Sequence, residues 1–195
     1  MRNNGIKVVL LNGPPRCGKD EAAKHIDGVT MKFARPVKRG AHAAFGFIDR
    51  GMSYYEDSKD KPSIDFYGAT PREVYISFSE DFMKKISGED IFGHILRKDI
   101  VNHYERNFDP GVAAKPYIIS DSGFKPEAEA LVSAFGKESI LLIRIHRDGC
   151  DYSNDSRTYI SLSEYGVKTI DIENKELDNY INDVKEAVRV FLNDD

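Results

Sequence analysis

The chain has 195 residues, close to the roughly 100 to 200 of one ordinary domain, which predicts a single core with at most an inserted lid. With 41% hydrophobic and 31% charged residues it has enough apolar material for a core, and 28 basic against 32 acidic residues leave a net charge of -4, the wrong sign for bulk neutralisation of nucleic-acid phosphates. The longest aliphatic runs, 8–11 and 140–143, are four residues each, where a bilayer-crossing helix needs about 20, and the start Met1-Arg2-Asn3-Asn4-Gly5 has no signal-peptide pattern. The expectation is a soluble, cytoplasmic protein with neither a membrane nor a broad nucleic-acid partner.

Residues 6–11 form an apolar run ended by Asn12-Gly13-Pro14-Pro15, which reads as a buried strand leading into a tight loop. A helix is expected from Gly18 to about Ile26, where Asp27-Gly28 ends it, and a weak strand over 29–33. Pro36 stands in a first turn, and 37–48 has helical composition. Residues 49–69, polar and holding Gly51, Pro62 and Gly68, are expected as a loop with room to move. Thr70-Pro71-Arg72-Glu73 combines a cap residue, a first-turn proline and an acid three positions after the cap, which predicts a helix to about Ile86. A second helix over 89–106 places Ile91, Phe92, Ile95, Leu96, Val101 and Tyr104 on one broad face, read as core. Residues 116–120 form the next strand, ending in Asp121-Ser122-Gly123, and Pro126 opens a helix to about Phe135. The cleanest strand is 139–145. Residues 147–163 are turn-rich and expected as an exposed lid, 167–172 as a last strand, and Leu177, Tyr180, Ile181, Val184, Val188, Phe191 and Leu192 as the stripe of a closing helix. Strands alternating with helices predict an α/β fold, a parallel sheet with helices on both faces.

The two cysteines, Cys17 and Cys150, are far apart, and the five histidines form no pair at helical ligand spacing, so no structural zinc is expected. A metal would arrive with a substrate. The chemistry points instead to Gly13-Pro14-Pro15-Arg16-Cys17-Gly18-Lys19-Asp20, which matches the G-x-x-x-x-G-K phosphate-binding loop between a strand and a helix, where backbone N–H groups and the helix N-terminus converge on an anion. Gly13 and Gly18 let the backbone bend around phosphate oxygens, and Lys19 supplies a mobile charge for the terminal phosphates. The usual hydroxyl after the lysine is replaced by Asp20. Two readings of that carboxylate stay open, a Mg²⁺ ligand and an acid favoured by the helix dipole. Cys17 lies beside N–H groups that lower a thiol's pKa, but it has no partner in the motif and is read as a loop residue. Glu21 closes the donor segment.

These residues resemble the phage-type deoxynucleoside monophosphate kinases, within the P-loop nucleotide kinases. The loop is similar to that family's G-x-x-R-x-G-K-D form, with Arg16 and Asp20. Phe33-Ala34-Arg35-Pro36-Val37-Lys38 resembles its F-A-x-P-L-K segment, and Thr70-Pro71-Arg72 its T-P-R helix start. Residues 117–130, YIISDSGFKPEAEA, resemble V-I-S-D-V-R-F-x-N-E-A-E, and 141–149 resemble L-I-R-I-x-R-x-G before a lid. Two positions depart: Gly123 stands where the family has an arginine, and Ile76 where it has a polar residue.

The resemblance implies one domain over 1–195, with a helical acceptor-binding region over 34–108 and a lid over 147–163. It implies ATP and Mg²⁺ as cofactors and small nucleotides as partners, in the host cytoplasm if the chain is phage-encoded, and it is compatible with a homodimer. Arg16 and Lys19 would face the donor phosphates, and Lys38 and Arg72 the acceptor phosphate. Arg144, Arg147 and Arg157 would close over both. Asp121 follows a buried strand at the carboxyl end of the sheet, where ligands of open α/β folds collect; its roles stay open between holding Mg²⁺, contacting the acceptor sugar, serving as a base and closing a turn. Glu127 would contact the acceptor base. A kinase with another acceptor, such as a phosphorylated metabolite or a modified base in nucleic acid, and an inactive nucleotide-binding protein are the alternatives.

Overall fold

The computed structural model describes residues 5–46, 51–153 and 155–194. Residues 1–4, the expected helix end at 47–48, the first two residues of the 49–69 loop and Asn154 of the lid lie outside them. Five parallel strands make one sheet in the order β2-β3-β1-β4-β5: β1 Val8–Asn12, β2 Val29–Met31, β3 Tyr117–Ser122, β4 Ile140–His146 and β5 Lys168–Glu173. Val8 is in register with Tyr117 on one side and Ile140 on the other, which makes β1 the central strand.

Alternate residues of the inner strands face opposite ways, as the two-residue period of a strand requires. Val8, Leu10, Tyr117, Ile119, Ile140 and Leu142 pack with α2 (Ala34–Ala44), α6 (Ile91–Asn107) and α7 (Lys125–Phe135) through Val37, Leu96 and Leu131. Val9, Leu11, Ile118, Leu141 and Ile143 pack with α1 (Lys19–His25) and α8 (Leu177–Asn193) through Ala22, Val184 and Phe191. Each fully buried aliphatic side chain contributes about 1.5 to 3 kcal/mol, so these two layers are the main driving force for the fold. No helix among the described residues is long and apolar enough to cross a membrane.

The structure departs from the sequence reading in three places. Helix α2 begins at Ala34, before Pro36, because the Asp121 carboxylate accepts hydrogen bonds from the N–H groups of Phe33 (2.9 Å) and Ala34 (3.0 Å). A cap supplied by another strand leaves no local signal. The polar stretch expected as a loop contains α3 (Met52–Asp57) and a 3₁₀ turn at Ile64–Phe66, held because Tyr55 and Phe66 are buried against each other and against His42. Two aromatic anchors outweigh the polar composition around them. The lid stretch is not a free flap either, since Ile160 and Leu162 are buried in the core layer of α6 and α7.

The helix predicted from Thr70 starts as read. Thr70 Oγ1 accepts the Glu73 N–H (3.2 Å) and Glu73 Oε2 accepts the Thr70 N–H (2.8 Å), a complete capping box. It runs as α4 (Pro71–Ile76), a π-helical stretch (Ser77–Lys84) and α5 (Lys85–Ser87).

Candidate active site

The loop of residues 13–20 leaves the carboxyl end of the central strand and is gripped from outside. Arg16 has φ 66° and Gly18 φ 109°; Gly18 also lies so close to the end of β5 and to α8 that a Cβ there would stand 2.6 Å from Asn174 Nδ2 and 3.2 Å from the Tyr180 ring, so only glycine fits. The carbonyl of Cys17 accepts from Asn174 Nδ2 (2.8 Å), that of Gly18 from the Tyr180 hydroxyl (3.0 Å) and that of Arg16 from the Arg147 guanidinium (3.2 Å). In a trans peptide the N–H points opposite the C=O, so tying these carbonyls outward turns the N–H groups of Gly18 and Lys19 the other way, into a nest for an anion. Lys19, at 8% exposure, donates to the carbonyls of Gly13 (2.5 Å) and Pro14 (2.6 Å). Burial lowers its pKa, and the nearby Arg157 charge adds to that. Burial likewise pushes the Cys17 thiol up, against the lowering its position suggested; the helix end cannot compensate for lost water.

Asp20 accepts hydrogen bonds from Lys32 Nζ and the Ser120 hydroxyl, both at 2.8 Å. Lost water on its inner side disfavours the charged form, but those two donors outweigh it and hold the carboxyl below its usual range. An ionised carboxylate beside a hydroxyl at the end of β3 is an oxygen set that suits Mg²⁺, with the remaining ligands from phosphates and water. Among the described residues no group of three or more His, Cys, Asp or Glu could hold a metal by itself. Asp121 does not join Asp20 there, because both its oxygens cap α2; burial pushes its pKa up while those N–H groups work against the rise. The divergence of the two neighbours has a local cause. Between the pairs Leu10–Ile119 and Asn12–Ser122, β3 carries one more residue than β1, and such irregularities re-aim side chains. Ser120 turns to the loop and Asp121 to α2. Glu21 is paired with Lys24 (2.9 Å) along α1.

A cavity of about 310 Å³ is lined by Lys38, Arg72, Arg157, Glu56, Tyr75 and Ile76, among others, and the charges of its Arg157 and Asp155 act on Lys19 of the loop. It shares Ala34, Val37, Ser79, Phe124 and Arg157 with an inner cavity of about 100 Å³ that Asp121 and Glu127 also line. Two cations read as acceptor-side, Lys38 and Arg72, and one read as a lid cation, Arg157, therefore converge, and each already holds a carboxylate: Lys38 with Glu56, Arg72 with Asp60 (2.5 Å), and Arg157 with Asp155 through two hydrogen bonds (2.8 and 2.5 Å). A slightly larger cavity, about 360 Å³ around His103, Tyr104 and Phe108, touches the first residues of β2 and β3. That is the amino end of the sheet, the wrong end for ligands of this architecture.

The two departures from the resemblance now have places. Ile76 lines the outer cavity, 53% exposed. Gly123 is covered by the Arg157 stem; a Cβ there would meet the Cβ, Cγ and Cδ of Arg157 at 2.5 to 2.6 Å. An arginine from the lid occupies the space that a side chain at 123 would need. Arg144 is not brought to the cleft: it forms a bidentate pair with Asp171 of β5 (2.9 and 2.6 Å) and lines neither cavity. Arg147 braces the donor loop through the Arg16 carbonyl.

Several residues that hold the site carry no sequence motif. Asn12 is fully buried; its Nδ2 reaches the carbonyls of Ser122 and Thr158 (both 2.9 Å) and the Tyr152 hydroxyl (3.2 Å), and its Oδ1 accepts the Ile160 N–H (3.0 Å). One side chain thus joins β1, β3 and the lid stretch. Its only signal was a polar residue ending an apolar run. Asn174, Tyr180 and Ser120 had none, since their partners are 100 to 162 residues away along the chain, and Asp155, two residues from its partner Arg157, carried no motif either.

No protein-family model matches the chain. It is 24% identical over 192 residues, 93% of its own length and 95% of the relative's, to an Acanthamoeba polyphaga mimivirus protein named "Putative deoxynucleotide monophosphate kinase". The likeness thus extends over nearly all of both chains, and the all-parallel sheet with helices on both faces is a nucleotide-kinase-like α/β fold.

Proposed function

We propose that the protein is an ATP-dependent kinase that transfers a phosphoryl group to a (deoxy)nucleoside monophosphate, giving the diphosphate. The observation that carries this reading is the convergence of Lys38, Arg72 and Arg157 on one cavity, whose Arg157 is close enough to the phosphate-type loop for its charge to act on Lys19. Phosphoryl transfer asks a protein for positioning and charge neutralisation more than for covalent help. The loop N–H groups and Lys19 hold the donor phosphates; Lys38 and Arg72 hold the acceptor phosphate. Arg157, whose charge acts on both Lys19 and Asp121, stands between the two sides. A phosphate with a second pKa near 6 is roughly 90% dianionic at pH 7, so it attacks without a general base and Asp121 is free to remain a cap. Mg²⁺ at Asp20 would neutralise charge on the donor phosphates. The relative's name agrees with this activity.

The test is ADP formation with a panel of nucleoside monophosphates. ATP consumption that depends on at least one of them is expected; a folded protein that no monophosphate stimulates overturns the reading.

A further inference from the structure

The wall of the outer cavity is held from behind by a buried histidine that no motif singles out. His42 follows Lys38 by four residues on α2, so the two share a face of that helix. It is 7% exposed and lines neither cavity. Its Nε2 is hydrogen-bonded to the hydroxyl of Tyr75 on α4 (2.7 Å), and its ring packs edge-on against Tyr55 of α3 (4.7 Å between centres) and tilted against Phe66 (5.9 Å). Burial first, and the Lys38 charge second, pull the His42 pKa down; burial first, and the Glu56 charge second, push the Tyr75 hydroxyl up to about 12. The bond between them therefore joins two neutral groups at neutral pH. What it fixes is the Tyr75 ring. That ring lines the outer cavity with the Lys38 ammonium over it, 5.8 Å from its centre, while the same ammonium is paired with Glu56, the neighbour of Tyr55 on α3. Lys38 thus has two seats of different kinds. The Glu56 carboxylate is 41% exposed and exchangeable for an incoming dianion. The ring is neutral, competes with no phosphate, and attracts the cation through its π face. Without it, the four-carbon lysine stem would be free among many rotamers once Glu56 let go.

We propose that His42 and Tyr75 are positioning residues of the acceptor site: His42 fixes the Tyr75 ring, and the ring keeps the Lys38 ammonium directed into the cavity while an acceptor phosphate replaces Glu56. This rests on the kinase reading above and adds the device that orders its acceptor-side lysine. Because the ring acts through Lys38, its removal has a distinct signature. It is harmful while Lys38 is present and without consequence once Lys38 is gone, whereas a ring that only packs the fold would matter equally in both backgrounds.

The experiment is a double-mutant cycle on the KM for the best acceptor of the monophosphate panel, with Lys38→Ala, Tyr75→Leu and the two combined. Lys38→Ala should raise that KM about tenfold, Tyr75→Leu about fivefold, and the double variant should match Lys38→Ala, with the KM for ATP within about twofold throughout. Tyr75→Phe, which keeps the ring and cuts the bond, and His42→Leu, which cuts it from the other side, should each give a rise of about threefold. His42→Gln, whose amide donates or accepts at the Nε2 position, should return the KM to the wild-type value. Unchanged circular dichroism spectra check folding, and if Tyr75→Leu does not fold, Tyr75→Phe takes its place in the cycle. A double variant whose KM shows the product of the two single rises, or a KM for ATP that rises as much as that for the monophosphate, overturns the proposal. Calorimetric binding of the panel members without ATP reads the same cycle. Coupled binding with no phosphoryl transfer would overturn the kinase reading and leave this one standing; transfer with uncoupled variants would do the reverse, and no binding by any member overturns both.

Discussion

The two halves of the cleft are held by different forces. On the donor side, backbone carbonyls of the loop are tied by the neutral side chains of Tyr180 in α8 and Asn174 after β5 and by the Arg147 guanidinium, and the loop grows from the fully buried central strand of the sheet. On the acceptor side, cations on α2 and α4 are held by carboxylates at the surface, with side chains 18% and 41% exposed for Lys38–Glu56 and 51% and 64% for Arg72–Asp60. Buried hydrogen bonds are expensive to break, whereas exposed ion pairs contribute only about 0 to 1 kcal/mol each. The difference teaches where change is cheap: on the proposed reading a substrate phosphate can displace Glu56 and Asp60 at little cost, while the donor loop's backbone is pre-set and only Lys19 must exchange its bonds to the Gly13 and Pro14 carbonyls.

The largest effect expected from breaking this contrast is at Lys19. Lys19→Ala removes the charge nearest the transferring group and should lower turnover by about 10² to 10³ or more, with an unchanged circular dichroism spectrum; near-normal steady-state turnover would remove the loop from the mechanism. Next comes Asn12→Ala, which leaves the carbonyls of Ser122 and Thr158 and the Ile160 N–H short of a buried partner. It should cost about 2 to 3 kcal/mol in urea unfolding, far more than removal of any acceptor-side ion pair. The smallest effect is at Arg72. Arg72→Ala should raise the KM for the monophosphate about tenfold, the loss of one charge-assisted contact, and leave the KM for ATP almost unchanged; equal changes in both would make the residue structural and erase the division.

The same contrast explains what could be read from the chain alone. The loop, its strand, the capping box at Thr70 and the strand at 140–146 are local patterns in which each residue's neighbours in sequence are its neighbours in space, and all were legible. Lys38, Arg72 and Arg157 were singled out through resemblance, in separate segments, and that they line one cavity is visible only in the fold. The Asn12 junction was not legible, because its partners lie 110 to 148 residues away. Nor was the helix at 52–57, where Tyr55 and Phe66 fold against His42 from an otherwise polar segment. The π-helical stretch at 77–84 was hidden for another reason: its side chains still recur at the spacing of an ordinary helix, so periodicity registers a helix and not its wider turns.

Arg157 lying over Gly123 constrains how this sequence could change by single substitutions. An arginine at 123 would find its space filled by Arg157 and would add a second guanidinium beside the first, so that replacement alone is unfavourable even though the residue type suits the cleft. Shortening residue 157 first would vacate the space but remove the cation that now serves it. The two positions are therefore epistatic: each residue is acceptable because of the other, and exchange between a strand-borne and a lid-borne arginine must cross a less fit intermediate in either order.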